Sequence, residues 1–140
     1  MKKGFTLIEM LVVISIIGIL IGISIFGVQG ARESSRDAKR KSDIELIRSG
    51  IEIYKSDCGV YPATLGDSLV GDGSGLSCPV TNSYINQIPS DPVAPERSYL
   101  YYSDGAVYEI CAALEKEGEV VTCGASSDCG ETCNYQVTNP

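Results

Sequence analysis

The sequence predicts an α+β fold in which one long N-terminal helix packs on a small, disulfide-stabilised antiparallel β-sheet. The first half of that helix is expected to span a membrane and the second half to be amphipathic. Three observations carry the prediction. The stretch Gly4–Val28 reads GFTLIEMLVVISIIGILIGISIFGV, and from Met10 to Val28 it runs nineteen residues without a charge. No proline occurs before Pro62, and beyond it turn residues alternate with short runs of strand formers. All six cysteines lie from Cys58 onward, and the 140-residue chain has no histidine.

As a helix, the uncharged run is roughly 28 Å long at about 1.5 Å per residue, close to the ~30 Å hydrocarbon core of a bilayer. Glu9 stands one residue before it. A carboxylate at mid-bilayer costs roughly 2.5–3.5 kcal/mol on insertion scales and less near the interface. Glu9 is therefore either a functional acid or a group at headgroup level. Within one subunit it lies in the first turns, where the helix dipole favours an anion. The run is too long for a cleavable secretory signal, and no A-x-A-like site follows it before the charged stretch. Charge placement opposes an outward head: Lys2 and Lys3 precede the span, but Arg32, Arg36, Lys39, Arg40 and Lys41 follow it. The cysteine content argues for an outward head and is given the greater weight.

The helical pattern runs from about Phe5 to about Ser56, some fifty residues or roughly 75–80 Å. Gly18, Gly22, Gly27 and Gly30 weaken it, each by about 1 kcal/mol relative to Ala. Residues 31–43, ARESSRDAKRKSD, have no apolar stripe and read as a solvated face. The alternative is that their basic groups sit near lipid headgroups and later meet acidic heads of neighbouring copies. Ile44, Ile47, Ile51, Tyr54 and Cys58 then recur at spacings of three and four, widened by Leu46, Gly50 and Ile53. That stripe needs a cover, and the head's own sheet is the expected one. Gly59 and Pro62 stop the helix.

Residues 63–83 read as a loop, and Gly71-Asp72-Gly73-Ser74-Gly75 lacks the Gly-Lys-Ser/Thr of a phosphate-binding loop. Strands are expected over 97–102, 106–114 and 119–123 as a three-stranded meander, with turns at Ser103-Asp104-Gly105 and 115–118. Residues 124–140 read as an irregular, cysteine-bearing tail. The formal net charge is −7, and beyond Gly59 only Arg97 and Lys116 face eleven acids. Such a head repels polyphosphate, so no nucleic-acid partner is expected. Without histidine, Ser-His-Asp and Cys-His catalysis and most zinc catalysis are excluded. Glu115, Glu117 and Glu119 read as a solvated rim.

An even number of cysteines in a head of this size reads as a disulfide framework in an oxidising compartment. Zinc is the weaker alternative, since only Cys129-x3-Cys133 approaches a knuckle, and no metal site is assigned. Cys58 with Cys78, Cys111 with Cys123 and Cys129 with Cys133 is the preferred pairing. The first pair brackets the loop after the helix; the second falls opposite in a hairpin centred near Lys116. Cys111–Cys133 with Cys123–Cys129 competes, because six cysteines allow fifteen connectivities.

Lys2-Lys3-Gly4-Phe5-Thr6-Leu7-Ile8-Glu9, continued by Met10–Ile14 and Gly18-Ile19-Leu20, resembles the leader junction of type IV pilins and type II secretion pseudopilins. The Tyr54-Lys55 and Gly59-Val60-Tyr61-Pro62 run and Tyr84–Pro92 are similar to the major pseudopilins. The resemblance implies a pilin fold and cleavage between Gly4 and Phe5 by a prepilin peptidase, with methylation of the Phe5 amine. It also implies assembly through Phe5 and Glu9. The parts are then a leader at 1–4, a transmembrane and polymerisation helix at 5–30, an amphipathic half at 31–57 and a head at 58–140. With the leader removed the charge is near −9, since 9 basic face 18 acidic side chains. The implied partners are copies of the chain, the peptidase, an inner-membrane assembly platform and the membrane itself. The implied function is that of a structural, non-enzymatic filament subunit. It begins as a single-pass cytoplasmic-membrane protein with its head outside, and ends in a surface pilus or a periplasmic pseudopilus. A secretion pseudopilus driving protein export and a competence pilin capturing DNA are the alternatives, the latter disfavoured by the acidic head.

The chain departs from the family at Phe26, where many members carry proline, and in its cysteine-rich end. Major pseudopilins also carry calcium in the loop after the sheet, held largely by aspartates. Here that region offers Asp128, Glu131 and carbonyl oxygens, against the roughly six to eight oxygens calcium takes. No cofactor is assigned, and calcium remains a weakly supported candidate.

Overall fold

A computed structural model of the chain describes residues 4–116 and 118–139, with the backbone alone at Ile25 and Phe26. Lys2, Lys3 and Glu117, all used in the sequence reading, lie outside the described residues. One helix, α1 (Leu7–Cys58), is followed by β1 (Leu69–Val70), β2 (Ser83–Ile85), β3 (Leu100–Ser103), β4 (Tyr108–Ala112) and β5 (Tyr135–Thr138). The chain divides into two compact units, Met1–Ser35 and Arg36–Pro140.

In the first unit, α1 is apolar on every side from Met10 to Val28. Ile14, Ile19 and Ile23 are each more than 60% exposed, and none of the most apolar window, with mean hydropathy 2.9, is covered by the rest of the chain. By length and composition this helix can cross a membrane.

In the second unit, the remainder of α1 packs on two antiparallel sheets, β1–β2 and β3–β4–β5. Ile44, Ile47, Ile51 and Tyr54 are buried as their spacing requires, and each such side chain contributes roughly 1.5–3 kcal/mol on burial. Leu46 and Ile53 are exposed, so the covered stripe is narrower than expected. The helix ends where Gly59 adopts φ +80° and returns its N–H to the Lys55 carbonyl at 2.9 Å.

β4 is the central strand and is buried on both faces. Tyr108, Ile110 and Ala112 face the helix stripe, while Cys111 joins Ala113, Cys123, Cys129 and Cys133 in a second cluster. This is the period-two alternation of a strand with cover on each side. Two expectations are corrected. The third strand of the meander is not 119–123 but β5, which pairs Glu109 with Thr138 and Ala112 with Tyr135. Tyr135 and Val137 pack against the main core, whereas Val120 is 68% exposed, so burial selects the later segment. The supposed tail thus supplies a sheet strand, and the loop at 63–83 contains β1.

Candidate functional site

The candidate residues fall into one group in each unit. At the start of α1, Thr6 is the N-cap: its carbonyl accepts the Met10 N–H at 3.3 Å. Glu9 Oε2 accepts the Thr6 backbone N–H at 2.8 Å and the Thr6 hydroxyl at 2.7 Å, while the Glu9 N–H donates to Thr6 Oγ1 at 3.3 Å. This reciprocal capping box satisfies two N–H groups that a helix start leaves over. Its signal, Thr6-Leu7-Ile8-Glu9 ahead of an apolar run, is in the sequence, and weighing Glu9 only as a charge passes over Thr6. Both accepted bonds fall on Oε2; Oε1 takes part in neither. Gly4 and Phe5 stand outside any regular element, and Phe5 is 81% exposed.

The second group lies on α1 where the sequence suggested a solvated face. Asp37, Arg40 and Asp43 are buried there, which corrects the reading of residues 31–43 as a solvated face. Arg40 has no exposed surface. Its Nε and Nη2 donate to the two oxygens of Asp91 at 2.7 and 3.1 Å, and its Nη1 donates to Asp37 at 2.8 Å and Glu115 at 2.9 Å. Asp37 in turn accepts the backbone N–H groups of Glu115 and Lys116 at 2.9 and 3.1 Å, and Arg36 forks onto Glu115. Four charged side chains are removed from water together because each donor and acceptor is matched.

The electrostatics follow. Hydrogen bonds from Arg36, then Arg40, hold the Glu115 carboxyl down at about 2. Burial alone would raise Asp37, but the two N–H bonds and Arg40 outweigh it and keep the carboxyl below its ordinary value. Burial likewise opposes the charge on Arg40, and its carboxylate partners raise its pKa all the same. Glu115 therefore does not belong to a solvated rim; its carboxylate ties the end of β4 to the helix. Tyr99 adds a bond from its hydroxyl to Asp43 at 3.0 Å.

Cys58 and Cys78 form a disulfide with Cα atoms 4.9 Å apart, and Cys129 and Cys133 form another at 5.4 Å. Cys111 and Cys123 are buried together as free thiols in the second cluster, so the third expected bridge is not formed in this structure. They meet without the expected hairpin: Cys123 sits in a small turn bridged to Ser126 that folds over the outer face of β4. Among the described residues, Cys58, Asp72 and Cys78 form a group with metal-ligand spacing, but its two sulfurs are bonded to each other.

Known proteins match both units. Residues 1–25 match the prokaryotic N-terminal methylation motif, and residues 27–132 match type II secretion system protein G. Proteins named type II secretion system core protein G are similar along most of the chain. The one from Vibrio cholerae is 29% identical over 92% of this chain and 90% of its own length. That from Escherichia coli K12 is 31% identical over 86% of each, and that from Aeromonas hydrophila is 34% identical over 65% and 67%. No solved structure matches the chain. An apolar helix opened by a capped acid, a helix-on-sheet head and these matches lead to one conclusion: the chain belongs to the type II secretion system protein G family, whose members are structural pseudopilins, subunits of a pilus-like filament.

Proposed function

We propose that this chain is the repeating subunit of a secretion pseudopilus that drives protein export, and that α1 leaves the membrane to stack on copies of itself. The observation that carries this reading is a helix apolar all round that nevertheless opens on an acid. Such a helix must be covered by lipid or by other helices, and a parallel bundle is the second cover. Cleavage by a prepilin peptidase between Gly4 and Phe5 leaves a positive amine on Phe5, and methylation keeps its charge. In the bundle that amine meets Glu9 of a neighbour, and pairing offsets the desolvation either charge would suffer alone. Glu9 can hold its own helix cap through Oε2 while Oε1 receives the incoming amine.

An extracytoplasmic head is supported by the two disulfides, since such bonds persist in oxidising compartments. The opposing charge count loses force because Arg36, Arg40 and Lys39 are all paired with acids. The inner-membrane assembly platform is the partner that would extract the helix. The acidic head supports no nucleic-acid role, and no observation favours DNA capture or catalysis.

The test is Glu9→Ala in cells. Membrane insertion should be unchanged, because the apolar run is intact, while filaments released by opening the periplasm and seen by electron microscopy should disappear. Wild-type filaments should begin at a methylated Phe5 on N-terminal sequencing. Ordinary filaments from the variant would remove the role assigned to Glu9.

A further inference from the structure

The connection between β4 and β5 is where the family resemblance implies a calcium ion, and among the described residues the donors do not fit one, with Glu119 an exposed carboxylate in the same connection. Calcium takes about six to eight oxygens. Glu131 is paired with Arg97, Asp128 Oδ1 accepts the Gly130 N–H at 3.0 Å, and Glu115 is held by Arg36 and Arg40. Six carbonyl oxygens are committed as well: those of Cys123, Ser126, Ser127, Cys129, Glu131 and Cys133 all accept backbone N–H groups.

We propose that two guanidinium groups, Arg40 and Arg97, hold this connection in place of a metal ion, so that the head stays folded without divalent cations. Arg40 works at the near end. It gathers Asp37 from α1, Asp91 from the β2–β3 connection and Glu115 from the end of β4, as a bound cation would. Arg97 works at the far end, where Nη1 donates to the Ala113 carbonyl at 3.0 Å and Nη2 pairs with Glu131. Between them the backbone lies flat against the segment leading into β3. The Ser98 N–H donates to the Cys129 carbonyl at 2.9 Å, and Gly130, at φ +86°, leaves no room for a Cβ beside the Glu96 carbonyl. The Cys129–Cys133 bond closes the same turn. A guanidinium is charged at any working pH and cannot be taken away by a chelator.

The full-length chain in detergent micelles suits the test. Its eight tyrosines all lie between Tyr54 and Tyr135, so near-ultraviolet circular dichroism reports on the head. Wild type, Arg40→Gln and Arg97→Gln are melted in a chelator and in about 2 mM calcium, above the ~10⁻³ M of weak extracellular sites. Wild type is expected to melt at one temperature in both buffers, and each variant lower by the same amount in both. Should Arg40→Gln fail to fold, Arg97→Gln carries the test, because its partner Glu131 is 60% exposed. A wild-type midpoint that falls by more than about 4 °C on chelation overturns the proposal. So does an Arg97→Gln chain that melts like wild type. Neither result touches the family assignment, which rests on the helix and the sequence matches.

Discussion

Thr6 and Glu9 show how one residue pair serves two ends. The carboxylate that charge alone marks as functional is also the group that closes the first helical turn, through Thr6. Thr6→Val keeps the shape and removes the hydroxyl, a loss that at N-caps typically costs about 0.5–2 kcal/mol. Faster amide exchange at Leu7–Glu9 in micelles is the expected result, with head amides unchanged; unaltered protection would mean that the box is not formed. At the other end of the chain, Cys111 and Cys123 are buried thiols in contact, and the Cys111 hydrogen bond together with burial pushes the Cys123 thiol up. In the cell envelope a thiol–disulfide oxidant can take their two protons and two electrons, joining the sulfurs and becoming a dithiol itself. After denaturation without reductant, chain made in a reducing cytosol should take alkyl labels at this pair. Chain from the envelope should take none there. Labels at this pair in envelope material would show that the thiols persist after export.

At the scale of elements, α1 illustrates why a face cannot always be assigned from hydropathy. Ile44, Ile47 and Ile51 announce their burial by spacing, but Asp37 and Arg40 extend the same covered face with charge. Nothing in a polar run distinguishes a solvated side from one that meets matched acids on a distant loop. The match has a pH consequence. Glu115 and Asp37 are acids held below their ordinary values, so the stability they add is fully present above their unfolded values near 4–4.5. It is lost as pH falls toward about 2, the value at which Glu115 titrates in the folded head. Thermal midpoints measured along an acid series are expected to drop through that window. Glu115→Gln should start lower and respond less steeply; an identical slope would show that the pair does not govern acid unfolding. β4 makes the same lesson in strands. Its burial on both sides demands two partners and a second cover, and the sequence pattern pointed to 119–123 as the outer strand and to an irregular tail beyond it. Only packing of Tyr135 and Val137 on the core decided for β5.

Over the whole molecule, two units with different solvents share one helix. The first depends on lipid or neighbouring helices, and the second on a small core fastened by ion pairs and disulfides. Each bridge is expected to contribute roughly 2–4 kcal/mol, so a reductant should lower the tyrosine-reported transition of the head. The helical signal of the membrane-spanning part should be unaffected; equal loss of both would contradict the division. The apolar run, the helix stop at Gly59, the helix stripe and the acid at position 9 were legible by themselves, because they rest on local periodicity and on charge set against hydrocarbon. So was the nearness of Cys58 to Cys78, which follows from a short bracketed loop. Which strand completes the sheet and which charges are buried depend on groups distant in the sequence meeting in space. Pairing across such distances is chosen by the total burial of the fold, and no local pattern records it.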